Sequence, residues 1–199
     1  MKYVLLGVED APSEAVLKRL VGEHPSDLSV SNTIGMQGWT LLRKKIGSFA
    51  QTSQHMPAIV LTDLDDRECA PALVQDWMRG ITFPTPDLLL RVAVREVEAW
   101  LIADHEATRS LLQLPGLMVP PEADDVRDPK EWLLLQAQRS PRSVRSELMR
   151  YEGAKLKQGL GYNDALVAMA RSDWSPARAA ERSDSLRRAR EAIAQLASR

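Results

Sequence analysis

Residues 58–66, AIVLTDLDD, decide how this chain is read. Ala58–Thr62 is an unbroken apolar and β-branched run, entered through Pro57 and left through Asp63-Leu64-Asp65-Asp66. An apolar run of strand length with no polar alternation predicts a strand buried on both faces, as in a parallel sheet. The same form appears upstream in KYVLLGV, Lys2–Val8, which ends at Glu9-Asp10, and downstream in DLLLRVAV, Asp87–Val94. A further strand is expected near Asp27–Ser31. The segments between read as helices. Ser13 is a candidate N-cap ahead of Val16, Leu17, Leu20 and Val21 at helical spacing; Trp39–Phe49 places Trp39, Leu42 and Ile46 on one face; Pro71–Met78 and Arg95–Asp104 follow. Strands alternating with amphipathic helices predict an α/β core over residues 1–112, a small mainly parallel sheet flanked by helices.

The pattern changes after Leu114. Pro115, Gly116, Pro120 and Pro121 interrupt the chain, and Glu122–Asp128 forms an acidic loop. Helices are expected at Pro129–Gln138, Arg142–Met149, Asn163–Arg171, Pro176–Arg182 and Ser185–Ala197, with no strand among them. Residues 113–199 therefore read as an all-helical C-terminal extension packing on the core.

Composition narrows the chemistry. The chain has 199 residues, 44% of them hydrophobic, with 26 Lys+Arg against 27 Asp+Glu, which suits a globular protein and excludes disordered and fibrous classes. A single cysteine, Cys69, and three histidines exclude an internal disulfide and a Cys/His zinc cage. The apolar run Tyr3–Val8 is too short for a signal sequence, and no stretch approaches the ~18 apolar residues of a membrane span, so a cytoplasmic protein with no membrane partner is expected. Walker A, GxGxxG and GxSxG motifs are absent, which disfavours ATP-driven work, dinucleotide binding and a serine triad.

Charge is unevenly spread. Residues 1–110 carry 11 basic and 15 acidic side chains, a net of −4, whereas residues 136–199 carry 13 basic and 7 acidic, a net of +6. In an open parallel sheet the functional crevice lies beyond the carboxyl ends of the strands. Acids gather there: Glu9 and Asp10 after the first strand, Asp63, Asp65 and Asp66 after the third, and Glu96 and Glu98 after the fourth. Crowded carboxylates repel unless a proton, a base or a hard cation intervenes, and oxygen-only donors select Mg²⁺ or Mn²⁺. Alternation along an extended chain would point Asp63 and Asp65 to one site and Leu64 into the core. On the Arg95–Asp104 helix, Glu98 is the next acid candidate and Arg95 a phosphate contact, with Trp100 as core. Downstream, Arg142, Arg145, Arg150, Lys155, Lys157, Arg187, Arg188 and Arg190 supply charge for a nucleic-acid backbone, with Tyr151 and Tyr162 available for stacking. The competing reading of each is a solvated surface charge or a packed ring.

A strand ending in an acidic turn, VEDAPSE (Val8–Glu14), followed by a strand ending in DxD, LTDLDD (Leu61–Asp66), resembles the Toprim domain of topoisomerases, primases and OLD-type nucleases. VREVEAWLIAD (Val94–Asp104) and GYNDALVAMARSDW with SDSLRRAR (within Gly161–Arg190) are similar to segments of a poorly characterised bacterial Toprim-like group. Asp10 stands where many Toprim sequences have glycine. The resemblance implies Mg²⁺ held by Glu9, Asp63 and Asp65, with Glu9 completing the shell or acting as general base. It also implies phosphodiester hydrolysis on nucleic acid, in phage defence or mobile-element biology, with a partner such as an ATPase. Two rivals stand beside it: a degenerate, metal-free Toprim-like subunit of a larger complex, and a receiver-like phosphoacceptor module with Asp63 as acceptor. The receiver reading lacks a strand-end lysine. An exposed sheet edge leaves room for a homodimer.

Overall fold

A computed structural model describes residues 1–199. In chain order its elements are β1 (Lys2–Val8), α1 (Ala11–Val21), β2 (Leu28–Gly35), α2 (Trp39–Lys44), α3 (Ile46–Thr52), β3 (Ala58–Asp63), α4 (Ala70–Met78), β4 (Leu88–Ala93), α5 (Val97–Ile102) and α6 (His105–Leu112). They continue with α7 (Pro129–Ala137), α8 (Arg142–Leu148), β5 (Met149–Glu152), β6 (Lys155–Gln158), α9 (Tyr162–Arg171), α10 (Pro176–Ala180) and α11 (Asp184–Ser198). The fold is α/β: a four-stranded parallel sheet in the order β2-β1-β3-β4, flanked by helices and followed by a largely helical C-terminal half.

Strand order follows from the connections. The chain leaves β1 through α1 to β2 on one side, then crosses back over β1 through α2 and α3 to β3 on the other, and continues through α4 to β4. Right-handed crossovers in opposite directions put their helices on opposite faces of the sheet. The side chains divide accordingly. Ala58 and Val60 pack with Leu42, Phe49, Leu73 and Trp77 of α2–α4, whereas Ile59 and Leu61 join Val16 and Leu20 of α1 and the later helices. All six residues of β3 are buried, as its apolar sequence requires.

The core on the α1 face extends into the C-terminal half without a break, taking in Leu133, Tyr162, Leu166, Trp174, Leu186 and Ile193. Trp100 is the hub. It is fully buried, its Nε1 donates to Ser185 Oγ at 2.7 Å, and its carbonyl accepts from Trp174 Nε1 at 3.0 Å. The acidic loop after Pro121 is anchored as well: Asp124 accepts from Ser183 Oγ at 2.6 Å and from Ser185 N at 2.8 Å. No helix is long and apolar enough to cross a membrane.

Four local readings change. The expected helix over Trp39–Phe49 is two helices broken at Lys45, and Arg95–Asp104 shortens to Val97–Ile102 with α6 beginning beyond Asp104. Asp10, not Ser13, caps α1, accepting from Ser13 N at 2.9 Å; Ser13 itself is buried. The C-terminal half is helical except for an antiparallel hairpin, β5–β6, with Gly153 at φ 62° in its two-residue turn. Only glycine adopts that φ at no steric cost, so the Glu152-Gly153-Ala154-Lys155 sequence closes the hairpin.

Candidate active site at the sheet switch point

Strand order reverses direction between β1 and β3, because the connections leaving these two neighbours run to opposite sides. That divergence opens a crevice beyond their carboxyl ends. Glu9 stands one residue past β1 and Asp63 is the last residue of β3. The parallel register Gly7↔Val60 brings Glu9 alongside Thr62. Glu9 Oε1 accepts from Asp63 N at 3.1 Å and from the Thr62 hydroxyl. The acid of one strand is thus clamped to the end of its neighbour.

Asp63 points to the α1 face, as Ile59 and Leu61 do, and meets the start of α5. Its Oδ1 accepts from Val97 N at 2.9 Å. One residue on, Glu98 is 3% exposed, and its Oε1 accepts from the Tyr162 hydroxyl at 3.1 Å. Lys130, at the start of α7, lies 3.6 Å from Glu98 Oε1 and 3.1 Å from Glu96 Oε1. Its backbone N–H also donates to Glu96 Oε2 at 3.1 Å. Four elements therefore converge: the ends of β1 and β3 and the starts of α5 and α7.

The electrostatics are those of an acid cluster that one lysine compensates only in part. Burial pushes the Asp63 carboxyl well above its ordinary range, and the neighbouring charges of Glu98, Glu9, Asp10 and Asp65 push it further. Burial likewise raises Glu98 to about 7 against the partial opposition of Lys130. Glu9 is raised by burial, moderated by its hydrogen bonds from Thr62 and Asp63. Burial would lower Lys130, but Glu98 and Glu96 outweigh it and hold the ammonium above its usual value. One lysine faces several carboxylates.

Asp65 departs from the expected geometry. Alternation along an extended chain would aim it with Asp63, but the strand ends at Asp63 and Asp65 adopts a left-handed conformation, φ 52°. Its side chain is 45% exposed and its carboxylate lies 3.5 Å from Arg67 Nη1. Leu64 does enter the core. Arg95 braces this loop: its Nη1 donates to the carbonyls of Arg67 at 2.8 Å and Asp65 at 3.2 Å, while Asp65 N donates to the Arg95 carbonyl at 2.9 Å. Asp65, Arg95 and Glu96 border a small cleft of about 100 Å³.

The structure thus brings Glu9, Asp63 and Glu98 together, leaves Asp65 at the rim and ties Arg95 to the backbone. Lys155 and Lys157 sit on β6, along a groove that Lys130 also lines. Tyr162, expected as a stacking ring, is 1% exposed and bonded to Glu98. Arg187 pairs with Asp184 and Glu191, Arg188 with Asp184, and Arg190 with Glu23, so this part of the basic region is neutralised. Sequence reasoning missed Lys130, Thr62 and the partnership of Tyr162 with Glu98. Only Thr62 carried a signal, as the one hydroxyl after four aliphatic residues of β3. Asp10 has φ −151°, an extended conformation that any residue adopts, so its turn does not require glycine.

The donor set suits a hard cation in one mode. No three Asp, Glu, His or Cys side chains are close enough to form a ready-made metal cage. Mg²⁺ does not need one, since it is typically held by one or two carboxylates plus waters and substrate oxygens. Glu9 and Asp63 meet that requirement: each has one oxygen committed to protein N–H or O–H donors, and neither has a fully buried oxygen without a partner.

No protein-family model and no curated protein matches the chain. Among solved structures, the C-terminal region of the Burkholderia pseudomallei OLD protein is similar at 18% identity, covering 96% of this chain and 98% of that one with a TM-score of 0.44. The C-terminal region of the Xanthomonas campestris pv. campestris OLD protein is similar at 17% identity, covering 96% of each chain with a TM-score of 0.44.

Proposed function

We propose that this chain is a Mg²⁺- or Mn²⁺-dependent phosphodiester hydrolase of Toprim type acting on nucleic acid. The observation that carries the reading is the burial of Asp63 and Glu98 beside Glu9 at the switch-point crevice, with Lys130 as the only cation bonded to the cluster. Such a cluster is relieved by a proton, a base or a hard cation, and with a single lysine bonded to it we assign that role to a hard cation. When bound, the metal would lower the pKa of a coordinated water and neutralise phosphate charge. The remaining roles belong to the chain. Glu9 and Asp63 hold the cation, Glu9 fixed by Thr62 and Asp63 by the Val97 N–H. Glu98, raised to about 7, takes or returns a proton near neutral pH, and Tyr162 orients it. Lys130 offsets charge developing on the phosphate, and Arg95 holds the Asp65 loop in place. Asp65 is a rim residue that would join the shell only by a change of its loop.

Calorimetry with Mg²⁺ and Mn²⁺, paired with a nuclease assay on the same samples, tests the reading. Wild type is expected to bind metal and cleave, and Asp63→Asn to do neither. A second reading, a binding subunit without catalysis, is favoured by the lack of a three-carboxylate cage and the outward turn of Asp65. It predicts nucleic-acid binding that is indifferent to metal, with no cleavage by wild type.

A further inference from the structure

A cleft of about 410 Å³ opens between α8 and the hairpin, lined by Arg142, Arg145, Arg150, Tyr151, Ser146 and Gln138, with Met149 at its floor. Its only charged side chains are three guanidinium groups. None of them is in an ion pair, whereas Arg178 and the three arginines of α11 all are. Two are held in place by backbone: Arg150 Nε donates to the Gln158 carbonyl at 3.1 Å and Arg145 Nη1 to the Gln138 carbonyl at 3.4 Å. Their remaining N–H groups are free for an anion, in the planar fork that matches phosphate oxygens.

The hairpin adds a second anomaly. Arg150 and Lys157 face each other directly across the antiparallel pair, with no carboxylate bonded to either. Like charges at opposed positions destabilise a hairpin, a cost that a bound polyanion removes. Tyr151, the next residue along β5, is 62% exposed. Tyr151 and Gln138 also line the neighbouring groove, of about 720 Å³, which carries Lys155 and Lys157 and reaches Lys130. The groove also carries Asp128 and Glu131, and its Lys130 is the residue that pairs with Glu96 and Glu98 at the acid cluster.

We infer that the α8–hairpin cleft is a platform for single-stranded nucleic acid, gripping phosphates with Arg142, Arg145 and Arg150 and stacking one base on Tyr151. A cleft of this volume matches a small unit of about nucleotide size. An exposed ring beside guanidinium groups serves unstacked bases, which a duplex does not offer. The inference rests on the nucleic-acid reading above for the identity of the polymer, and on the cleft for where it binds.

The test is fluorescence anisotropy of a labelled oligothymidylate of about 20 nucleotides, in EDTA and over a range of salt, so that binding is read without hydrolysis. Replacing all three arginines (Arg142→Gln, Arg145→Gln, Arg150→Gln) is expected to weaken binding at least about tenfold and to reduce the log K against log salt slope by about 2, since each phosphate contact on a single strand contributes about 0.7. Tyr151→Ala is expected to weaken binding about tenfold with the slope unchanged, and Tyr151→Trp to restore it. Should the triple variant fail to fold by circular dichroism, Tyr151→Ala and the pair Lys155→Gln, Lys157→Gln decide the matter. Wild-type affinity in these variants, or a duplex bound as tightly as the single strand, would overturn the inference. Binding with these signatures but no cleavage on adding Mg²⁺ would keep the platform and remove the hydrolase reading. Cleavage with unimpaired binding by the variants would do the reverse.

Discussion

Two aspartates, Asp63 and Asp104, are both buried in this fold and both accept from a helix start, but the charges around them differ. Asp104 is fully enclosed and accepts four N–H bonds: Ala107 N at 3.3 Å, Ser175 N at 2.7 Å, and Arg178 through Nε at 3.0 Å and Nη2 at 2.7 Å. It caps α6 and fastens α10 to it. Asp63 accepts one N–H through the same kind of helix-start contact, and the charges that act on it most strongly are other carboxylates. Burial of an acid therefore does not by itself mark a site. An acid buried among acids, at the mouth of a sheet crevice, has the repulsion that binding can relieve.

That contrast is broken most severely at Asp104. Asp104→Ala is expected to cost about 3–5 kcal/mol, toward the lower end because Arg178 keeps some contact with water. Urea denaturation measures it, and Asp63→Asn in metal-free buffer should show no comparable loss. A destabilised Asp63→Asn would mean that Asp63 is structural too.

The next effect depends on pH. Glu98 titrates near 7 in the fold against 4.5 as the ordinary value, so the folded chain holds its proton more tightly than the unfolded chain. The resulting stabilisation is fully present below about pH 4.5 and is lost as pH rises through about 7, a change on the order of 3 kcal/mol. Glu98→Gln should flatten this slope and raise the urea midpoint near about pH 8, leaving the Tyr162 contact an acceptor. An unchanged pH profile would remove Glu98 from the strained cluster.

Activity separates Glu9 from Asp65. If the chain cleaves nucleic acid, Glu9→Gln should reduce kcat about 100-fold, whereas Asp65→Asn, altering a rim carboxylate, should reduce it less than about tenfold. Equal losses would show that the Asp65 loop turns inward during catalysis. The smallest effect is expected at a surface pair. Arg190 bonds Glu23 through two nitrogens at 2.9 and 2.8 Å, and Arg190→Gln should cost less than about 1 kcal/mol in thermal or urea unfolding, because water already solvates both groups.

Much of the parallel sheet was legible in the chain. Unbroken apolar runs such as Ala58–Thr62 must be buried, their length and β-branched content favour a strand covered on both faces, and the acids that follow them fall at strand ends by chain order alone. Glu9 and Asp63 take their strand-end positions in this way. The β5–β6 hairpin was not, because MRYE and KLKQ are short and mostly polar, and neighbouring sequence of helical character obscures a period of two over four residues. Its only punctuation was Gly153.

The sequence by itself determined which segments are buried strands and which carboxylates lie beyond them, since both follow from local hydrophobicity and connectivity. Tertiary structure decided which carboxylates share a space. Asp65, two residues from Asp63, turns outward because the strand has ended and the chain is free to take a left-handed step. Glu98, Lys130 and Tyr162, far apart in the chain, meet because α5, α7 and α9 pack on the same face of the sheet. Spacing along a chain fixes direction only while the backbone is regular; past the end of a strand, packing sets where a side chain points.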